Sequence, residues 1–331
     1  MKLATYKDGS RDGQLVVVSR DLASAHYATH AAHHLQQALD DWNFIAPQLQ
    51  DLYDGLNAGR ARHAFPFDPR QCMAPLPRAC QWALGQAWEH GLEPADAADP
   101  GFRLAAGDSL CGPCDPLVLA AEQLEMDFGA GLAVVTGDLP QRASPAQALE
   151  GVRLLLLANA VQLQVAGLSA VQRLPATAFG PVAVTPDELG EAWAQGRVGL
   201  ALQTSWNGRR VGIADADEDM RWSFGELIAH LCATRGLRAG SIVGAGTVRQ
   251  RGVENGKRRD WPKGYHAIAD KRAFEQAQDG EARTAYLRLG DTVRTEMKDG
   301  EGHSLFGAIE QEVVALDRAE ARPASGFAPV Q

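Results

Sequence analysis

The sequence predicts an α+β fold with an irregular, β-rich core. Three observations carry that expectation. Short aliphatic and β-branched runs, bounded by turn residues, recur through the second half of the chain. Helical stretches fall between them without the regular alternation that builds a parallel βαβ sheet. The chain has 331 residues, 45% of them hydrophobic and 22% charged, so it can bury a sizeable core.

Taken in order, Gln14-Leu-Val-Val-Val18 reads as a strand after a Gly-bearing turn. Residues 23–57 read as helical, with Pro47 the main breaker. Pro66, Pro69, Pro75 and Pro77 then punctuate a connector, which places a domain boundary near residue 80. The expected units are a small domain over 1–80, a larger one over 81–318 and a tail over 319–331. Residues 91–116 are rich in Pro, Gly, Ala and Asp and read as loop. Strands follow at Leu132–Thr136, Val182–Val184, Leu200–Thr204, Ser241–Val243 and Thr292–Glu296. Helices are expected at 145–160, 186–195, 222–235 and 267–278. The first of these has Ser144 as its cap and Pro145 in its first turn. The tail from Ala321 to Gln331 reads as disordered.

Composition excludes several function classes. The formal net charge is -9, which gives no electrostatic footprint for nucleic acid or an anionic membrane. The polar start lacks the apolar run of a signal peptide, and the longest purely apolar stretch, Leu154 to Ala158, is too short to span a bilayer. A soluble cytoplasmic protein is expected. Five cysteines on a chain this long argue against a disulfide scaffold. Cys111-Gly-Pro-Cys114 copies a redox tetrapeptide, but no strand leads into a long helix there, so it reads as a chance match.

Other short patterns are weak for physical reasons. His26, His30 and His34 fall at helical spacing, yet no acidic or sulfur ligand completes a metal set. They read as a solvated face. The run Lys257-Arg258-Arg259 beside Trp261 reads as a surface loop, and His230 as a hydrogen-bonded packing residue.

Several longer stretches carry more. They are Lys2–Asp21 with Asp41-Trp42-Asn43 and His63-Ala-Phe-Pro-Phe67; Met126–Gly137; Pro175–Phe179 with Pro181–Gly190; and Asn207-Gly208 through Ala229-His230 to Gly244-Ala-Gly-Thr247. Gly264-Tyr265, Lys271-Arg272, Gly290-Asp291 and Phe306–Ile309 complete the set. Together they resemble the fumarylacetoacetate hydrolase family, in its bacterial branch with a small N-terminal α/β domain. The resemblance implies a β-roll catalytic domain, usually a homodimer, and a divalent Mg or Ca ion. It implies cleavage or rearrangement of carbon–carbon bonds in diketo or oxo acids. Such an ion needs hard oxygen ligands, and it polarises the diketone and stabilises the departing enolate.

The pattern breaks where that chemistry would sit. Gly129 and Gly131 stand where the family carries two ligand glutamates. Ala160 stands for a ligand aspartate, Gln164 for an arginine and Leu174 for a lysine. The segment 95–110 lacks the family's aspartate, leaving Asp99 and Asp108 as nearby acids. Gly246 and Thr247 match the family's turn beside the pocket. The expectation is therefore a homodimer with no metal and no cofactor, whose pocket is larger, neutral and more apolar. That pocket is expected to be lined by Gly129, Gly131, Ala160, Gln164, Leu174, Gly246 and Thr247. Its ligand would be a small diketone or oxo acid, bound by a pseudoenzyme or turned over without metal. Two alternatives stand beside this: an active hydrolase using displaced carboxylates such as Glu125, Asp127 or Asp108, and a structural partner of an active paralogue. Restoring Gly129→Glu, Gly131→Glu, Ala160→Asp and Leu174→Lys is expected to return some metal binding.

Overall fold

Runs of valine, leucine and alanine that are buried on both faces dictate the central sheet. A computed structural model describes residues 1–88, 99–108, 110–250, 252–255, 258–261 and 263–320. The N-terminal part folds as β1 (Lys2–Tyr6), β2 (Gln14–Val18), β3 (Ser24–Tyr27), α1 (Leu35–Asp40), α2 (Trp42–Asn57) and β4 (Phe65–Pro66). Then come β5 (Gln81–Leu84), β6 (Arg103–Ala105), β7 (Leu117–Leu119), β8 (Met126–Asp127), β9 (Ala130–Thr136), α3 (Pro145–Glu150) and β10 (Val152–Leu163). Next are β11 (Ala176–Phe179), β12 (Ala183–Val184), β13 (Trp193–Ala194), β14 (Arg197–Val198), β15 (Ala201–Trp206) and β16 (Arg209–Asp215). The chain continues through α4 (Phe224–Cys232), β17 (Ser241–Thr247), β18 (Val253–Asn255), β19 (Arg258–Asp260) and α5 (Ile268–Asp279). It ends in β20 (Thr292–Lys298), β21 (Ser304–Ala315) and α6 (Leu316–Glu320).

The fold is α+β. A 12-stranded sheet runs β4-β3-β2-β1-β12-β10-β9-β17-β5-β6, with β8 and β11 also on β10. The small N-terminal strands thus continue the large sheet through the β1–β12 pairing. A 5-stranded sheet, β16-β15-β20-β21-β7, lies apart from it. One apolar cluster fills the side that receives α3 and α4, including Leu155, Leu157, Phe224 and Val243. Another packs α1 and α2 on the opposite strand parity, with Leu154, Leu156, Tyr53 and Trp82. Among the described residues no helix is long and apolar enough to cross a membrane.

Three expected helices are corrected. Residues 152–163 form the central strand β10, not a continuation of α3. The α3 helix begins as expected, with Ser144 closing a capping box with Gln147, but it stops at the Gly151 cap. The leucine run beyond that cap is buried on both strand faces, and such a run has no period to separate strand from helix. Residues 24–27 likewise form β3 rather than helix. His26, His30 and His34 therefore share no helical face. His26 lies on β3, and His34 caps α1 by accepting from the Gln37 N–H. Residues 186–192 wind as 3₁₀ turns that lead into β13. Within the stretch expected as loop, Arg103–Ala105 pairs with β5 as strand β6, while residues 91–98 lie outside the described residues. Lys257 and the tail from Ala321 also lie outside them.

Candidate functional site

The ends of β5, β10 and β17, with the first turn of α5, border a cleft. Its volume is about 580 Å³, within the range of small-molecule sites. Gly246 and Thr247 enter it from the end of β17, and Gln162 and Gln164 from the end of β10. Gln86 lies beyond the end of β5, and Ala269 and Asp270 open α5. Three arginines also line it: Arg103 on β6, Arg173 in the turn before β11, and Arg249 just after β17.

Of the residues expected at a pocket, Gln164, Gly246 and Thr247 line this cleft. Gly129, Gly131, Ala160 and Leu174 do not. Ala160 and Leu174 are buried in the core beneath the sheet. At Gly129 a Cβ atom would sit 2.5 Å from the Ala160 carbonyl oxygen and 3.0 Å from Thr247 Oγ1. At Gly131 it would collide with the Gly246 carbonyl oxygen. The expected enlargement is therefore corrected: backbone from β10 and β17 occupies the space that side chains would need. The expected neutrality is corrected too, because the described residues of the cleft carry three guanidinium groups against the one carboxylate of Asp270.

Asn159 explains why the strand junction holds its shape. Its Oδ1 accepts the Gly129 N–H at 2.9 Å and its Nδ2 donates to Gln311 Oε1 at 3.1 Å. Gln311 in turn donates to the Asp115 carbonyl at 2.7 Å. The buried amide is thus fully engaged in joining the two sheets.

The candidate carboxylates do not converge. Asp127 is buried, and its oxygens accept the Ile268 N–H at 2.6 Å and the Ala269 N–H at 2.8 Å. It holds the first turn of α5, where unpaired N–H groups and the helix dipole favour an anion. Burial nevertheless pushes its carboxyl up to about 7, against the pull of those two N–H groups. Gln164 Nε2 reaches the same carboxylate at a longer 3.4 Å. Glu125 takes a left-handed turn with φ of 55° and lies outside the cleft. Asp108 is exposed and also outside it. Among the described residues no group of three or more His, Cys, Asp or Glu is placed to hold a metal ion.

Arg249 and Asp270 form a half-hidden ion pair, with side chains 14% and 12% exposed. The Arg249 Nε donates to both carboxylate oxygens at 2.8 Å. Arg173 Nε donates to the Leu168 carbonyl at 3.2 Å. Neither arginine carried a sequence signal beyond position, Arg249 two residues after Thr247 and Arg173 just before Leu174. Arg103 carried none.

Other sequence patterns fall elsewhere. Cys111 forms a β-bridge with Ala178 and is followed by no helix, and burial pushes its thiol up to about 11. Burial likewise raises Cys114. Those shifts remove the thiolate that redox exchange needs. His230 is exposed, not packed: it stacks on Phe102 and lies 3.7 Å from Asp99. His266, which the sequence did not single out, is buried just before α5. Its Nδ1 is 2.7 Å from Thr204 Oγ1, its Nε2 has no hydrogen-bond partner among the described residues, and burial lowers it to about 4.

Comparison with known families finds two matches along the chain. Residues 1–78 match the family described as fumarylacetoacetase N-terminal domain 2. Residues 82–314 match fumarylacetoacetate (FAA) hydrolase C-terminal. Comparison with curated proteins finds no match. Among solved structures, the chain is similar to a maleylpyruvate hydrolase from Sphingobium sp. SYK-6, at 17% identity and TM-score 0.67, covering 95% of this chain and 100% of that one. It is similar to a probable 2-hydroxyhepta-2,4-diene-1,7-dioate isomerase from Mycobacterium abscessus, at 19% identity and TM-score 0.66, covering 95% and 99%. A fumarylacetoacetate hydrolase from Exiguobacterium antarcticum matches at 19% identity and TM-score 0.62, also over 95% and 99%.

Proposed function

The chain belongs to the fumarylacetoacetate hydrolase family, and on that premise we propose that it binds a small oxo or diketo acid without a divalent metal. The observation that carries this is the filled space at Gly129 and Gly131. A carboxylate side chain at either position would have to pass through the backbone of Ala160 or Gly246. The remaining donors do not fit a hard dication, which needs several carboxylate or carbonyl oxygens free to turn toward it. Asp127 is committed to the α5 N–H groups and Asp270 to Arg249. The ligand class is supported by a relative: the Sphingobium maleylpyruvate hydrolase has been solved with manganese(II) and pyruvate. In this chain the corresponding acid would be met by glutamine, threonine and arginine side chains instead.

The cleft's own groups can bind and orient an acid. They supply hydrogen bonds from Gln86, Gln162, Gln164 and Thr247 and positive charge from the arginines. Carbon–carbon cleavage also needs an electrophile that stabilises an enolate and a base beside it. Among the described residues Asp270 is the one carboxylate lining the cleft, and its pairing with Arg249 leaves it poorly placed as that base. Binding without the family's metal-dependent turnover is therefore the function the geometry supports best.

Calorimetry tests it. Titration with Mg²⁺, Mn²⁺ and Ca²⁺ is expected to give no saturable heat, and pyruvate binding is expected to be unchanged by EDTA. Micromolar metal binding together with metal-dependent cleavage of a β-diketo acid would overturn the proposal.

A further inference from the structure

We infer that the cleft is a guanidinium-built site for a multiply charged oxyanion, gripped by Arg103 and Arg173 with Arg249 fixed behind them. The inference deepens the function proposed above and rests on its metal-free premise. The chain as a whole is acidic, with formal net charge -9, yet among the described residues its cleft gathers three arginines and a single acid. A local surplus of that sign runs against the composition. Cations sharing a low-dielectric cleft repel one another, and a matching anion relieves that repulsion.

The single acid does not cancel the surplus. Both oxygens of Asp270 are taken by Arg249 Nε, so this carboxylate acts as a brace for one guanidinium. Asp270 itself is held on the first turn of α5, whose N–H groups are tied to Asp127. The brace is therefore anchored to the sheet. Arg173 is steadied in a similar way, by its Nε on the Leu168 carbonyl. Among the described residues, the terminal nitrogens of Arg173 and Arg249 and the whole head of Arg103 make no hydrogen bond or ion pair. Heads held by Nε and open at their terminal nitrogens present the planar fork that recognises carboxylate or phosphate oxygens.

Size and polarity narrow the ligand. A cleft of about 580 Å³ holds a small organic molecule rather than a polymer. The neutral amides of Gln86, Gln162 and Gln164 add donors and acceptors for an oxo or hydroxyl group between two charged ends. The shared chemistry is a compact dianion, met either as a dicarboxylate or as a phosphate ester.

The test uses the full chain in EDTA, titrated by calorimetry with succinate, inorganic phosphate and pyruvate. At least one of the two dianionic probes is expected to bind, about tenfold or more tightly than pyruvate, and more weakly as salt is raised. Tighter succinate would assign a dicarboxylate, and tighter phosphate a phosphate ester. Arg173→Gln and Arg103→Gln are each expected to weaken that binding roughly tenfold or more. Neither residue is in a buried ion pair, so both variants should fold, which circular dichroism checks. Failure of both dianions to bind, or binding in EDTA that is indifferent to both variants, would overturn the arginine grip and leave the metal-free premise standing. Binding that appears only with Mn²⁺ but still falls in the arginine variants would overturn the premise and leave the grip standing.

Discussion

Two regions on the same strands are packed in opposite ways, one around glycines and one around long side chains. At Gly129 and Gly131 the interior is closed by the carbonyls of Ala160 and Gly246. At the ends of β10 and β17, a few residues away, it opens into a cleft lined by Gln162, Gln164, Thr247 and three arginines. The ladder even pairs Gly131 with Thr247, one residue from each region. Removing side chains from the middle of a sheet leaves no hole, because a glycine lets the facing backbone approach until normal packing density returns. At the cleft the lining comes from strand ends, turns and α5 and not from the middle of one sheet. There the space persists and its chemistry is set by long side chains from separate elements. The comparison explains why the glycine-bearing centre is closed while a cationic cleft lies beside it.

The largest effect that could break this contrast comes from putting one carbon back. Gly131→Ala is expected to cost about 3–5 kcal/mol in urea unfolding, because the new Cβ meets a main-chain carbonyl that cannot rotate away. Gly131→Glu is expected to fare no better, so restoring acids at residues 129, 131 and 160 no longer predicts a return of metal binding. A Gly131→Ala chain as stable as wild type would mean that the β9–β17 junction is looser than its geometry indicates.

What the sequence revealed follows the same division. Strands β2, β9, β15, β17 and β20 and helices α4 and α5 were legible, because turn residues and periodic burial mark them. The central strand β10 was not, since Leu154–Leu157 is buried on both faces and reads equally as helix. β3 was hidden for another reason: it is only 4 residues long, with a single buried side chain, and lies just in front of α1. At the site, Gly129, Gly131 and Ala160 were singled out through the family resemblance alone. The filling of those positions was not legible, because it depends on how closely β10 and β17 approach. Arg103, Arg173 and Arg249 were also hidden. They lie far apart in the chain, with no mutual spacing, and converge only because the start of β6, the turn before β11 and the residues after β17 meet at one cleft.

The open region is probed next through its brace. Arg249→Gln leaves the Asp270 carboxylate half-hidden without its cation, and is expected to cost about 2 kcal/mol. Replacing both partners, Arg249→Met with Asp270→Leu, is expected to recover most of that stability, to within about 1 kcal/mol of wild type, since an apolar pair has no desolvation debt. Equal losses in the single and double variants would show that the guanidinium contributes by packing, and the pair would cease to be a brace.

The smallest effect in the wild type is a near-cancellation that single variants expose. Asp127 and His266 flank the start of α5, and burial shifts them in opposite directions. The Asp127 carboxyl is raised from 3.8 to about 7. Between those values the folded state holds a proton the unfolded state has released, so stability falls as pH rises through that window. His266 is lowered from 6.5 to about 4. Over that range the unfolded chain holds the extra proton, so stability falls as pH drops. The two slopes oppose each other between about pH 4.5 and 6, and together they should leave little net dependence from this pair. Relative to wild type, Asp127→Asn is expected to gain stability with rising pH by about 1.4 kcal/mol per unit, and His266→Gln to lose it at a similar rate. Urea midpoints measured across that window decide it. Parallel profiles for wild type and Asp127→Asn would mean that the two α5 N–H groups keep the carboxylate ionised throughout. Asp127 would then be an ordinary helix anchor, and the closed region of the molecule would hold a full negative charge beside the arginine-lined one.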